Sequence, residues 1–559
     1  MTKLKYFTAV LFVAICLPVG ALAESTGAAS SSVRLQEAVS GQQRERKIES
    51  LRREYDENKA SSSKSTKEQA KPADKSDLKI LINRIRVKYS RVLTKDFWDR
   101  LKLNYPKKDY TLAAVKELVA QINAEYEKQG FLTSRAYLAP QQIKNKTITV
   151  SLFEGKTGKV NVVNNGYVAE GYVKKSLDIP ARQVLNLKNV ENSILMYNAA
   201  NESKVRVSLR PSEKVGFTDI DVTVHQPQRF EASVFADNAG TKENGYYRGG
   251  VVGVARKLLP FDMIQDKVTL GGVKSEGSSS VFASYDITEP YLNTTWSLGV
   301  DWSDTEIVSG PMESLEVKGD FYDWHLGVKR PVFVTENSVV TGGLRSDIKH
   351  SKNHIAAMKV HDIKTDTVSG FVDWLYLFGR GYFYNMFEAT HAVHINQGQE
   401  HFWHYNYLAE GQVGFLNTWA VNVKANAQYT NDEFLPSSDQ IQLGGVGSVR
   451  GYAEGLLVGD KGFSVMSEIK KEIQISSQKW INRAETFVFY DCGRLWSNEV
   501  GSVKKRNETF LSSTGLGVRM SIFERLNASL TAGFPIRRQV GDERQNKVKI
   551  LFNVQMKLY

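Results

Sequence analysis

Two short stretches of this 559-residue chain carry residues whose types and spacing could do chemistry. The first is Leu443-Gly444-Gly445-Val446-Gly447-Ser448-Val449-Arg450-Gly451-Tyr452, followed by Ala453-Glu454-Gly455 and by Gly459-Asp460. Its glycines allow positive φ and close backbone packing around one central cation. A phosphate-cradling loop would need Gly-Lys-Ser/Thr next, and none follows. The stretch therefore reads as a glycine-dense hairpin loop that presents Arg450. The second stretch is Phe489-Tyr490-Asp491-Cys492-Gly493. A period of two puts Phe489, Asp491 and Gly493 on one face of a strand. In a membrane strand that face must be the lumen, because a charge toward lipid is costly. Arg450 on the loop and Asp491 on the wall would then form a shielded, charge-assisted pair.

The other reactive side chains read blandly. His391, His394, His401 and His404 form two H-x-x-H pairs. Positions i and i+3 lie on opposite faces of a strand, which argues against a zinc site and for loop or girdle histidines. Cys492 adjoins Asp491 but falls in the lipid-facing register, as an inert thiol. No spacing supports a Ser/His/Asp or Cys/His nucleophile. The reading is therefore a non-enzyme with no cofactor and no metal. The net charge of +12 comes from scattered residues without an aromatic-basic stripe, so nucleic acid is not an expected partner.

The elements that must position these residues follow from composition and pattern. The chain is 42% hydrophobic, which excludes wholesale disorder, and it is too long for one ordinary domain. Lys3 and Lys5, the apolar run Leu11 to Val19 and the small-x-small site Ala21-Leu22-Ala23 read as a secretory signal peptide over residues 1–23. Its loss removes Cys16 and two lysines, taking +12 to +10. No later run of about 18 uncharged apolar residues appears. An exported soluble protein and an outer-membrane β-barrel remain.

Residues 24–57 are polar and helix-friendly, with a sparse stripe of Leu35, Val39, Ile48, Leu51 and Tyr55. So polar a helix suits a wet cavity rather than a dry core. Residues 58–77 are nearly devoid of apolar side chains and read as a flexible linker. Residues 78–155 show an alternating strand, a helical pattern over Thr111 to Gln129 stopped by Gly130, and further strands. Residues 156–227 repeat that order, with helices expected at 170–177 and 189–201. Two tandem α+β modules are implied.

From Phe230 onward helical periodicity gives way to alternation. Trp419, Val421, Val423, Ala425, Ala427 and Tyr429 oppose Ala420, Asn422, Lys424, Asn426 and Gln428. The stripes run about 9–11 residues and end in aromatics, as tilted membrane strands do. A tight turn is expected at Phe523-Glu524-Arg525, and long polar loops at 304–318 and 349–365. At roughly 20 residues per strand and loop, residues 228–559 supply about 16 strands.

The loop resembles the VRGY motif of the BamA–TpsB superfamily, and Phe489-x-Asp491-x-Gly493 resembles its F/G-x-D-x-G motif. Asp237-Asn238-Ala239-Gly240 with Gly245-Tyr246-Tyr247-Arg248 is similar to the first barrel hairpin of the TpsB branch, the transporters of two-partner (type Vb) secretion. Tyr137-Leu138-Ala139-Pro140-Gln141, ending at Glu154-Gly155, is similar to its first POTRA (polypeptide-transport-associated) domain. The resemblance implies a 16-stranded antiparallel outer-membrane barrel over 228–559, periplasmic POTRA domains at 78–155 and 156–227, and a plug helix within 24–57. It also implies a large secreted TpsA-type exoprotein as partner (an adhesin, haemolysin or contact-dependent toxin), captured unfolded and passed outward without ATP. Outer-membrane lipid, periplasmic chaperones and the barrel-assembly machinery are implied for biogenesis. Val449, Arg450, Gly451 and Tyr452 take the role of the lumen loop, and Phe489, Asp491 and Gly493 that of its strand partner. A BamA-type insertase is the alternative, although insertases usually carry more POTRA modules and no plug. One departure stands out: the family's terminal Phe is replaced by Tyr559, out of phase with the stripe Val548, Ile550, Phe552, Val554, Met556 and Leu558.

Overall fold

The computed structural model describes residues 41–57, 82–88, 90–105, 109–310, 313–355, 358–396, 401–432, 435–473, 480–496, 509–540 and 543–558. The expected signal peptide, the linker 58–77, residues 24–40 and Tyr559 lie outside the described residues.

The first module runs β1 (Arg84–Val87), helices Lys95–Asn104 and Leu112–Lys128, β2 (Arg135–Tyr137) and β3 (Thr147–Phe153). Thr111 caps the longer helix by accepting from Ala114 N at 3.3 Å. Its Val115, Leu118, Ile122 and Tyr126 recur at helical spacing and are buried with Ile148 and Val150 of β3. Each such aliphatic side chain contributes about 1.5–3 kcal/mol on burial. The second module repeats the plan: β4 (Lys156–Val163), helices Glu170–Leu177 and Leu187–Ala200, β5 (Lys204–Pro211) and β6 (Phe217–His225). In both, the first strand pairs parallel to the last, which also takes the middle strand antiparallel, giving orders β1-β3-β2 and β4-β6-β5.

The modules join without a spacer. Gly130, at φ +86°, ends its helix where an added Cβ would lie 2.6 Å from Asn186 Oδ1. Its carbonyl accepts from Leu187 N at 2.8 Å, and Asn186 donates to the Gln129 carbonyl at 3.0 Å. The end of one module's helix thus abuts the start of the next module's.

Sixteen antiparallel strands close the barrel. They are β7 (Phe230–Asp237), β8 (Arg248–Arg256), β9 (Gln265–Lys274), β10 (Ser278–Glu289), β11 (Thr294–Glu306), β12 (Lys318–Val334), β13 (Ser338–Ile355) and β14 (Met358–Phe378). β15 (Gly381–Ile395), β16 (Phe402–Gly414) and β17 (Trp419–Tyr429) follow, then a short inner pair, β18 (Ile441–Leu443) with β19 (Leu457–Gly459). β20 (Lys461–Ile473), β21 (Ile481–Trp496), β22 (Thr509–Ile522), β23 (Leu526–Pro535), the minor pair β24 (Gln539–Val540) and β25 (Glu543–Arg544), and β26 (Lys549–Lys557) complete the chain. β26 closes on β7 through Asn553↔Asp237 to Lys557↔Ser233. Period-two alternation holds: Trp296 and Leu298 face outward exposed, while Asp301 and Ser303 are buried inside. Ile550, Val554, Met556 and Leu558 are likewise exposed outward.

The tight turn is present, with Phe523 and Glu524 at φ 51° and 58°, as a two-residue hairpin requires. One expected loop is not a loop. Residues 349–355 and 358–365 belong to β13 and β14, which stay paired as far as Ile355↔Met358. These strands run 18 and 21 residues, well beyond the about 9–11 needed to span a bilayer. Past the lipid both faces meet water, so the hydrophobic alternation that marks a strand disappears although the pairing continues. In the other expected loop, β11 ends at Glu306, β12 begins at Lys318, and a short 3-10 turn, Glu313–Leu315, lies between.

Candidate functional site

Between β17 and β20 the chain turns back into the lumen as the loop 430–460. The β18–β19 ribbon stiffens its base. Leu443, Val449 and Tyr452 bury against Leu495 of β21, Leu511 of β22 and Val540. Ser448 Oγ accepts from Gly444 N at 2.8 Å and tightens the glycine run. At the tip, Gly451 has φ +109°, and an added Cβ at Gly533 on the wall would fall 2.7 Å from Gly451 N. Two backbones touch there, which only paired glycines permit.

The structure brings Arg450 and Asp491 together. Arg450 Nε donates to Asp491 Oδ2 and Nη2 to Oδ1, both at 2.8 Å, and Arg450 N donates to Oδ2 at 3.1 Å. Asp491 is 0% exposed and Arg450 5%. A bidentate, charge-assisted pair shielded from water is far stronger than a surface one. Phe489 lies under the guanidinium, its ring centroid 3.9 Å from Cζ, adding a cation–π contact. Gly493 leaves room for the loop: an added Cβ would fall 2.5 Å from Leu443 Cδ1. The alternating Phe489, Asp491 and Gly493 thus form a seat for ring, charge and loop side chain. The Tyr452 hydroxyl reaches the carbonyls of Arg537 at 2.8 Å and Ser512 at 3.0 Å.

The spacing predicts one pair, Arg450 with Asp491; the structure links five residues. Arg450 Nη1 also donates to Glu468 of β20. Arg519 of β22 donates to Glu468 at 2.7 and 2.9 Å and to Glu485 at 2.9 Å. A signal existed: charges on barrel strands belong in the lumen. Finding the partners required the register, in which Glu468 opposes Phe489 and Glu485 opposes Arg519.

A second segment occupies the lumen. Residues 41–57 are helical. Ile48 and Leu51 of the sparse stripe bury against Val339, Leu375, Leu377, Tyr384 and Leu408 of the wall and Ala199 of the second module. Arg46 pairs with Glu231 of β7 at 3.3 Å, and Arg44 approaches Glu410 of β16 at 3.8 Å. β7 and β16 are nine strands apart one way and seven the other in the ring of 16. The helix therefore reaches between nearly opposite walls. Below it, Glu54 accepts from Asn198 and Glu57 pairs with Arg206, both in the second module. Burial first, then the nearby Lys47 cation, brings Lys204 of that module down to about 8, against Glu54 and Glu202.

The histidines part company. His391 stacks on Trp403 at 4.3 Å. His404 points inward, its Nε2 3.6 Å from Asp439 of the loop. Cys492 is a free, half-buried thiol in the outward register. Arg248 and Asp237 of the first hairpin form an ion pair at 2.8 Å.

Comparisons with known proteins agree with this architecture. Residues 80–155 match the model of the ShlB-type POTRA domain. The heme/hemopexin transporter protein HuxB of Haemophilus influenzae (strain 86-028NP) is 24% identical over 484 residues, covering 80% of this chain and 82% of its own. The structure of CdiB from Escherichia coli superposes with a TM-score of 0.74 at 19% identity, covering 96% of this chain and all of that one. BamA from Haemophilus ducreyi lacking POTRA domains 1-3 shares the fold at a TM-score of 0.52 and 15% identity, covering 86% of this chain and all of its own. Residues 216–520 match the model of the haemolysin secretion/activation protein ShlB/FhaC/HecB. That match spans more than half the chain, which therefore belongs to the ShlB/FhaC/HecB family: it is an outer-membrane β-barrel transporter of two-partner secretion, with POTRA architecture on the periplasmic side and a TpsA-type exoprotein as partner.

Proposed function

We propose that the periplasmic modules capture the unfolded N-terminal secretion domain of a large TpsA-type exoprotein. Helix 41–57 is then a removable plug, and the barrel conducts the exoprotein outward without ATP while loop 430–460 stays seated. The observation that carries this reading is a polar helix laid across the lumen on dispersed contacts to nearly opposite walls and to the second module below it. Arg450 and Asp491 hold the loop, Val449, Gly451 and Tyr452 seat its tip, and Phe489 and Gly493 shape the wall beneath it.

Capture has a physical basis in the sheet edges. β2 and β5 are edge strands, able to take an extended peptide by β-augmentation. Tyr137, Phe153, Val163 and Leu209 stand exposed on these sheets, ready to contact alternate side chains of such a peptide. The exoprotein would be an adhesin, a haemolysin or a contact-dependent toxin. Outer-membrane lipid surrounds the barrel, which periplasmic chaperones and the barrel-assembly machinery deliver. The insertase alternative has only the shared fold behind it.

The test is export of an exoprotein encoded beside this chain, together with binding of its secretion domain to residues 78–227. Capture predicts binding at about tens of micromolar or tighter and loss of export when either module is deleted. A secretion domain that does not bind, with export intact, overturns it.

A further inference from the structure

Away from the loop, the lumen wall holds a cluster that ion pairing does not satisfy. Asp301 of β11 and Asp323 of β12 are direct cross-strand partners on the inner face. Like charges directly opposite destabilise a ladder. His325, two residues on, shares that face. Asp301 is 1% exposed, and Asp323 and His325 are also buried. Asp301 Oδ1 and Oδ2, Asp323 Oδ1 and His325 Nδ1 have no hydrogen-bond partner among the described residues. A buried carboxylate with neither oxygen paired is costly unless something else compensates it.

The surrounding charges do not do so. Arg345 of β13 donates to Asp347 Oδ1 at 2.6 Å and reaches Asp323 Oδ2 at only 3.4 Å. Lys349 is committed to Asp439 of the loop at 2.6 Å. Asp301, Asp323 and Asp347 against Arg345 leave two negative charges, while Lys349 and Asp439 cancel. The shape is also built. An added Cβ at Gly299 would fall 2.2 Å from His325 Cε1 and Nε2, so the missing side chain is what lets the imidazole lie across β11. That brings His325 Nδ1 to 3.6 Å from Asp301 Oδ2. Two donors on a tetrahedral zinc at about 2.1 Å stand about 3.4 Å apart. One donor atom from each of the three residues lies within 4.8 Å of the others.

We propose that Asp301, Asp323 and His325 bind one divalent cation of the zinc class on the lumen wall. A water would complete the fourth position. The ion would cross-link β11 to β12 and neutralise the two surplus charges beside the Lys349–Asp439 contact that holds the base of the loop.

The experiment is zinc titration of the full-length chain in detergent after chelator dialysis, with cobalt absorption as a second readout. The expected result is about one equivalent per chain and a tetrahedral cobalt spectrum with mixed nitrogen and oxygen donors. Asp301→Asn and His325→Gln should each abolish the bound equivalent, and Gly299→Ala should weaken it by displacing the ring. The double variant His391→Ala with His401→Ala should retain it. Wild-type chain that binds no zinc overturns the proposal without recourse to any variant. So does an equivalent that survives Asp301→Asn and His325→Gln but is lost in the His391/His401 variant, which would place the metal on the outer histidines.

Discussion

Loop 430–460 and helix 41–57 share one lumen but are held in different ways. The loop is fixed at a few points by buried groups that satisfy one another: Arg450 with Asp491 and Glu468, Tyr452 with two wall carbonyls, and Gly451 backbone against Gly533. The helix rests on Ile48 and Leu51, on wall ion pairs at 3.3 and 3.8 Å, on Arg44 over the Tyr384 ring, and on Glu54 and Glu57 against the second module. It also leaves Arg44 Nε, Arg52 Nη1 and Glu54 Oε2 buried without a hydrogen-bond partner among the described residues. Satisfied, shielded networks resist opening, whereas loose pairs near water contribute about 0–1 kcal/mol each. On the proposed function, the difference separates a part of the wall from an occupant that can leave.

Breaking the loop side should give the largest effect. Arg450→Ala or Asp491→Ala strands a buried charge, at a cost of about 3–5 kcal/mol. We expect export to collapse and the loop to become protease-sensitive, while the barrel still inserts as judged by heat-modifiable migration. The Arg450→Ala/Asp491→Ala double variant should cost less than the sum of the two. The reciprocal charge exchange should rescue little, because residue 450 would then set a carboxylate against Glu468.

A smaller effect is expected at the seat. Gly493→Ala drives a methyl into Leu443 and should cost about 1–3 kcal/mol, read as partial loss of export and faster proteolysis of the loop. On the helix side, Arg44→Ala removes one long ion pair to Glu410 and a cation–π contact with Tyr384, together worth about 1 kcal/mol. It should raise the open fraction of single channels in planar bilayers by a few-fold at most while export persists.

The smallest effect is pH-dependent. Lys204 titrates near 8 beneath the docked helix, below its ordinary 10.5. The helix adds to that lowering through burial and Lys47, so the docked state binds fewer protons than the open one and docking strengthens as pH rises through about 8. Resting conductance should therefore fall from pH 7 to pH 9.5, and Lys204→Met should flatten that dependence.

How much of this was legible in the sequence depended on whether the pattern was local. The β17 stripe from Trp419 to Tyr429, the helix capped by Thr111 and the Arg450–Asp491 pairing follow from spacing and from the cost of charge near lipid. The extended β13–β14 hairpin did not, because Lys349, Ser351 and Asn353 on one face and His350, Lys352 and His354 on the other give no alternation to read. Glu468, Arg519 and Glu485 were hidden for another reason: their partners are set by strand register, which short-range pattern does not fix. Asp301, Asp323 and His325 fall in the same class, since their meeting depends on β11–β12 pairing and on the gap at Gly299. The helix reaching opposite walls is a property of barrel closure alone.

The most direct test is to lock the helix to the wall. A reducible bifunctional thiol reagent would join Arg44→Cys on the helix to Glu410→Cys on β16, and in a parallel chain Leu457→Cys on the loop to Leu495→Cys on β21. We predict that the helix lock blocks exoprotein export and channel opening until a reductant releases it, whereas the loop lock leaves both at the wild-type level. Export that continues through a fully cross-linked helix would contradict the claim that helix 41–57 must leave the lumen for the exoprotein to pass.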